Sequence, residues 1–435
     1  MRNILIALFF IFTGTLPAQA DDLSSIFKLA QENDPAFRAA QEAYLAAQEI
    51  KNQSFALFLP ALNLSANYTR ISQDYSTTGE ITYNSRGYNL SLNQMLYHHD
   101  YFVQYRQADY QVAQAAANFN SVAQDLIVRV ANAYFQVLGA YDNLTFTKSE
   151  KKAISEQLNQ TKQRFKVGLT AITDVHEAQS RYDQAVAQMI AAENLLAVSR
   201  ENLREVTGQY PQTLSFLQPE VPLVRPDPQD VDEWARIAGE QSLQLIAAEK
   251  AMMIAKEEVN RRRAGHYPTL DLVATRGYSK TDGGVFLAFT GRELTDSRIG
   301  VQLNMPIYQG GLVTSQTSEA AHKYAQAKEL YEQQRRATER QTRSSYLNVI
   351  ANISQVLAFK QALKSTRTAL EATEAGYEVG TRTAVDVLNS RREVFRAERD
   401  YAKSRYTYII ETLRLKKAAG ILSENDLLAI NKWLQ

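Results

Sequence analysis

The sequence predicts a mostly α protein that carries a membrane-type β-sheet and repeats its whole plan once. Three observations predict it. Stretches free of helix breakers, apart from scattered Gly, run from about His99 to Lys166 and from about Leu312 to Glu378. Short segments alternating between polar and apolar residues precede each stretch. Blocks of the first half recur in the second at near-constant spacing.

Composition narrows the options first. The 435 residues hold 48 Lys+Arg against 47 Asp+Glu, a formal charge of +1, which argues against bulk electrostatic binding of nucleic acid. Cysteine is absent. That excludes disulfides, thiolate zinc sites, iron–sulfur clusters, a cysteine nucleophile and a bacterial lipid anchor. Sparse Gly (18) and Pro (10) favour long helices.

Residues 1–20, MRNILIALFFIFTGTLPAQA, have the charged start, apolar middle and A-x-A end of a secretory signal. The apolar run from Ile4 to Phe12 falls short of the roughly 20 residues that span a bilayer. No later apolar stretch is long enough either, so an exported chain with a membrane span must build it from strands.

The repeat follows. RFKVGLTAITDV…LREVTG over 164–208 lies on GYEVGTRTAVDV…LKKAAG over 376–420, with no gap from Phe165/Tyr377 to Gly208/Gly420, an offset of 212. Pro60-Ala61-Leu62 matches Pro268-Thr269-Leu270 at an offset of 208. The plan therefore divides into a first repeat over 21–210, a linker over 211–229, a second repeat over 230–425 and a C-terminal tail over 426–435. Pro211, Pro219, Pro222, Pro226 and Pro228 exclude helix interior from the linker.

Within each copy the period changes from helix to strand and back. Residues 35–57 read as an Ala-rich helix. Leu62, Leu64, Ala66 and Tyr68 then alternate with Asn63, Ser65, Asn67 and Thr69. After a polar stretch from Gln73 to Arg86, Tyr88, Leu90 and Leu92 alternate with Asn89, Ser91 and Asn93. The second copy places Leu270, Leu272 and Ala274 on one strand, and Ile299, Val301, Leu303 and Met305 on another. Such segments suit a barrel with a wet lumen, and equally a soluble sheet with one face on a core. The last helix of each copy carries a heptad: Val175, Tyr182, Met189, Leu196 and Leu203, then Val387, Val394, Tyr401, Tyr408 and Leu415. Mostly small residues sit three positions on, the pattern of close coiled-coil packing. Four strands are too few for a membrane barrel, and open edges cannot lie in lipid, so several chains would have to share one.

The blocks RFKVGLTAITDV, EAGYEVGTRTAVDVLN, LPALNLSANY, NMPIYQGG and ENDLLAIN resemble the TolC family of outer-membrane efflux and secretion ducts. The resemblance covers essentially the whole chain after residue 20. It implies a homotrimer with a twelve-stranded barrel in the outer-membrane lipid, four strands per chain, continued by a helical tunnel across the periplasm. It also implies partners, a periplasmic adaptor and an inner-membrane transporter, and export of drugs or proteins.

The same resemblance assigns residues. Tyr377 and Arg382 match the inner-helix members of a periplasmic gate latch, and Thr173 and Asp174 their partners on the neighbouring helix pair. Gln157 and Glu374 match a further link between chains. Asp386 matches a carboxylate ring that narrows the entrance. Asn389 stands where the family often has a second Asp, which leaves one carboxylate per chain and weaker cation selectivity. Val167, Gly168, Leu169 and Val379, Gly380, Thr381 match the turns that meet the adaptor. Helix capping also accounts for Asp174 and Asp386, and left-handed turns for both glycines.

The chain is not expected to be an enzyme, nor to hold a cofactor or metal. His98, His99, His176, His266 and His322 lack metal-ligand spacing, and no nucleophile elbow, phosphate loop or dinucleotide fingerprint is present. Two alternatives stand beside the efflux duct. One is the exit duct of a single type I protein-secretion system. The other is a periplasmic coiled-coil scaffold with a soluble β-domain, disfavoured by the paired hairpins and by the lack of a biotinyl-lipoyl-like segment. An apolar run from Val285 to Phe289 falls in a presumed outer loop.

Overall fold

The computed structural model describes residues 21–76, 79–211, 213–283 and 291–435. The leader at 1–20 and the apolar run at 285–289 lie outside the described residues. The first copy comprises α1 (Leu23–Asn33), α2 (Pro35–Ala56), β1 (Ala61–Tyr75), β2 (Gly79–Tyr97), α3 (His99–Lys166) and α4 (Ile172–Thr207). The second comprises α5 (Val231–Gln241), α6 (Leu243–Arg263), β3 (Thr269–Thr281), β4 (Arg292–Asn304), α7 (Leu312–Glu378) and α8 (Ala384–Ala418), followed by α9 (Glu424–Asn431). The 68 residues of α3 and 67 of α7 make helices roughly 100 Å long at 1.5 Å per residue. Among the described residues no helix is long and apolar enough to cross a membrane.

The strands form one antiparallel sheet in the order β1-β2-β3-β4. Its register gathers the alternating residues into one belt. Leu62 pairs with Leu92, Leu64 with Leu90, Leu92 with Ala274, Ala274 with Ile299 and Leu272 with Val301. The belt is bare of protein: Leu64 is 71% exposed and Ile299 78%. The opposite face carries Asn63, Ser65, Asn89, Ser91 and Thr275. The polar stretch from Gln73 to Arg86 is not a break between strands. It stays in the ladder up to the Tyr75–Gly79 pair at the hairpin tip. Around it the apolar residues Ile71, Tyr75, Ile81 and Tyr83 lie on the face opposite the belt, so the ladder continues while the alternation changes phase.

The helical hairpins pack through the heptads, and in the first copy the smaller row lies deeper. Ala178, Ala185, Ala192 and Ser199 are buried against α3, while Val175, Tyr182 and Met189 are only half-buried. Small side chains let the two backbones approach. The main core forms midway along α3, where Tyr134, Phe135 and Leu138 meet Leu203 of α4, Ile409 and Leu413 of α8, and α1 and α9. The Tyr134 hydroxyl donates to Ser215 O at 2.7 Å, and burial pushes its pKa up.

The Pro-rich segment is a docked strap. Tyr408 Oη accepts from Val224 N–H at 2.9 Å and donates to Val224 O at 3.0 Å. Arg405 Nη1 donates to Gln218 O and Pro219 O. The first part of the segment expected as a tail, residues 426–431, lies in α9, with Leu427 and Ile430 buried.

Candidate functional site

Each copy ends its long helix in the same reversal. Val167 caps α3 and Gly168 follows at φ 76°; Val379 caps α7 and Gly380 follows at φ 79°. Leu169 N–H donates to Arg164 O at 2.9 Å, and Thr381 N–H to Gly376 O at 2.8 Å. These bonds reach back over the left-handed residue and satisfy carbonyls that the helix end leaves open. A Cβ at either glycine would touch nothing, so the dihedral alone calls for glycine. Val167, Leu169 and Val379 stand well exposed at the hairpin tips, and Thr381 is exposed beside them.

The repeat breaks one step later. Thr383 caps α8 in a reciprocal box: Asp386 N–H donates to Thr383 Oγ1 at 3.2 Å, and Asp386 Oδ2 accepts from Thr383 N–H at 2.9 Å. The bond from Thr383 N–H, and then one from the Thr383 hydroxyl to the same Oδ2 at 2.9 Å, hold the Asp386 carboxyl below the ordinary carboxylate value. At the matching position the first copy has Ala171, which has no oxygen to offer, so α4 starts without a side-chain cap. Asp174 accepts from the Thr170 hydroxyl instead. Capping thus describes Asp386 and not Asp174.

Between the two tips lies a cleft of about 330 Å³, lined by Arg164, Asp174, Arg181, Tyr377 and Arg382 among others. The Arg164 guanidinium lies 5.0 Å from the Tyr377 ring centroid. The Tyr377 hydroxyl is buried and has no hydrogen-bond partner among the described residues. The expected phenol–carboxylate bond to Asp174 is therefore not made within one chain. Arg382 likewise makes no hydrogen bond or ion pair with Asp174 or Thr173 among the described residues; Thr173 is exposed on α4. Instead the Arg382 stem lies on Gly376, where an added Cβ would come within 2.8 Å of its Cγ.

The remaining assigned residues are held separately. Gln157 is buried on α3, and Glu374 accepts from Arg391 of α8 at 2.8 and 2.9 Å. No hydrogen bond joins Gln157 to Glu374 in the chain. Asn389 accepts from Arg181 Nη1 at 3.1 Å, and Arg181 also binds Glu177 at 2.9 Å. Sequence reasoning missed Arg164, Arg181, Arg391 and Gly376. The repeat carried one usable signal: the offset of 212 sets bulky Arg164 opposite Gly376. The Arg391 and Arg181 contacts join separate stretches of chain and have no local signature.

An apolar-belted sheet, borne on helical hairpins that end in a polar, tyrosine-bearing cleft, defines the class of outer-membrane exit ducts. The family described as outer membrane efflux protein matches residues 26–209 and 234–421, one match per copy. The chain belongs to that family. It is 37% identical over 424 residues to outer membrane protein TolC of Vibrio cholerae serotype O1, covering 97% of this chain and 96% of the relative. It is 30% identical over 439 residues to the alkaline protease secretion protein AprF of Pseudomonas aeruginosa, covering 98% and 90%. The open-state structure of the Neisseria gonorrhoeae MtrE outer membrane channel shares the fold, with a TM-score of 0.75 at 19% identity over 92% of this chain and 89% of that one. The protein is an outer-membrane channel that extends into the periplasm, in a family of channels rather than enzymes.

Proposed function

We propose that three copies of this chain close a twelve-stranded barrel and a helical tunnel, and that the duct is shut at its periplasmic tips until a periplasmic adaptor and an inner-membrane transporter dock. The two sheet edges support the shared barrel. Among the described residues β1 and β4 each have one neighbour, and an unpaired edge cannot lie in lipid. The bare apolar tips at Val167, Leu169 and Val379 support docking there. Asp386, set one per chain at the start of α8, supports a single carboxylate ring.

The observation that carries the gate is the Tyr377 hydroxyl, buried in the cleft with no hydrogen-bond partner among the described residues. Such a donor costs free energy unless another group satisfies it. In this reading Tyr377 and Arg382 take Asp174 or Thr173 of the adjoining chain as partners in the closed state. Each exposed ion pair of this kind contributes on the order of 1 kcal/mol or less, so a threefold set holds a closed state that docking can tip.

Planar-bilayer conductance of the wild type beside a Tyr377→Phe, Arg382→Ser double variant tests the reading. A small wild-type conductance that rises clearly in the variant supports the latch. Equal conductance in both proteins would discard the gate and keep the channel. The full-length similarity to AprF favours one second reading, the exit duct of a protein-secretion system. Complementation of a strain lacking its efflux duct, against one lacking its protease-secretion duct, separates the two.

A further inference from the structure

The two copies differ at one buried helix start, and the difference leaves a site. At the offset of 208, Asp22 and Asp230 cap α1 and α5, while Asp34 at the start of α2 corresponds to Ser242 at the start of α6. Asp34 is 3% exposed. Its carboxylate accepts from Phe37 N–H at 2.9 Å and from Arg129 at 2.6 and 3.2 Å. The first copy thus carries its own anion at the helix N-terminus, where the dipole and free N–H groups favour one.

The second copy has the same helix start without the anion. Ser242 is 5% exposed, its hydroxyl caps no helix N–H and makes no hydrogen bond among the described residues, and it lines a cavity of about 580 Å³ with Gln244 of the first helical turn. Arg340, Arg414 and Lys417 line that cavity against a single carboxylate, Asp125. Lys417 is paired with Asp125 and Arg414 with Glu411, whereas Arg340 has no ionic partner among the described residues. Gln341, which replaces Arg129 at the offset of 212, also lines it. A nine-tenths-buried serine that lines the space with no hydroxyl partner among the described residues, a helix N-terminus and an excess of cations converge on one cavity large enough for a small molecule.

We infer that the cavity at the start of α6 binds a small oxyanion, through a carboxylate or phosphate group that takes the place the Asp34 carboxylate holds in the first copy. This goes beyond the duct reading and does not depend on the gate.

The test is thermal unfolding of the full-length protein in detergent, at fixed ionic strength, titrated separately with inorganic phosphate and with succinate. A specific ligand raises Tm along a saturating curve, because it binds only the folded state. The wild type is expected to show such a curve with at least one probe, and the probe that works identifies the group. Ser242→Asp supplies the carboxylate in place and is expected to abolish the response. Arg340→Gln, which leaves the helix start intact, is expected to weaken apparent affinity roughly tenfold, as for loss of one charge-assisted bond. A flat response to both anions would overturn the proposal. So would an unsaturating rise of equal size in wild type and Arg340→Gln, which is general salting-out.

Discussion

The guanidinium of Arg164 stacks over the ring of Tyr377 at 5.0 Å from its centroid, and so ties the α3/α4 hairpin to the α7/α8 hairpin at the tips. A cation–π contact at an exposed site contributes about 0.5–1 kcal/mol, or roughly two- to fivefold in an equilibrium. Arg164→Gln is expected to raise conductance within that range. Tyr377→Phe keeps the ring and so separates this contact from anything the hydroxyl does. Unchanged conductance in Arg164→Gln would show that the stacking does not hold the hairpins together.

Gly376 allows a prediction in which stability and gating move apart. Replacing a helical Gly by Ala favours the helix by up to about 1 kcal/mol. The new Cβ would lie 2.8 Å from Arg382 Cγ and 3.1 Å from Thr381 Oγ1, so the Arg382 side chain must leave its seat. Gly376→Ala is expected to unfold no earlier than wild type, yet to conduct more. A variant that conducts like wild type would remove Arg382 from the gate.

The capping box makes the α8 start sensitive to acid. The folded Asp386 pKa is depressed by the Thr383 N–H and then the Thr383 hydroxyl. Its contribution is present above the unfolded carboxylate pKa and is lost as pH falls through the lower, folded value. The protection of the Thr383–Asp386 amides against exchange, relative to the intrinsic rate at each pH, is therefore expected to fall in that acid window in wild type and to be low throughout in Asp386→Asn. The same substitution should lower cation over anion selectivity at neutral pH. Untouched selectivity would take Asp386 away from the conducting path.

Asp34 and Arg129 give the largest expected loss of stability. Breaking a buried pair leaves an uncompensated charge, and Arg129 retains 32% exposure to soften it, so Asp34→Ala should cost roughly 3 kcal/mol. Burial raises the Asp34 pKa, but hydrogen bonds from Arg129 and Phe37 N–H outweigh it and the net shift is downward. The stability gap between wild type and Asp34→Ala, measured by thermal unfolding, should thus be full at neutral pH and shrink below about pH 4. A gap unchanged in acid would mean that packing, not charge, accounts for it.

Much of the fold was legible in the residues, because its signals are local. Pro is absent from α3 and α7 along their whole length and Gly is rare in them, the heptad marks α4 and α8, and alternation marks the belt of the sheet. The ladder between Gln73 and Arg86 escaped because its few apolar residues, Tyr75, Ile81 and Tyr83, fall on the face opposite the belt, so the alternation does not continue in phase. The docked strap escaped because its contacts, such as Tyr408 to Val224, join residues 184 positions apart.

By itself the sequence determined the repeat, the long hairpins, the glycine turns at 168 and 380 and the membrane-suited belt, all set by composition and period along the chain. Only the tertiary structure decided what each polar residue does at the tips and at the helix starts. Asp174 and Asp386 occupy matching positions, yet one meets Thr170 and the other completes a cap with Thr383, because Ala171 stands where Thr383 does. Asp34 closes its site and Ser242 leaves one open for the same kind of reason. A side chain's role follows from which donors folding brings within about 3 Å of it, and that spacing is not written along the chain.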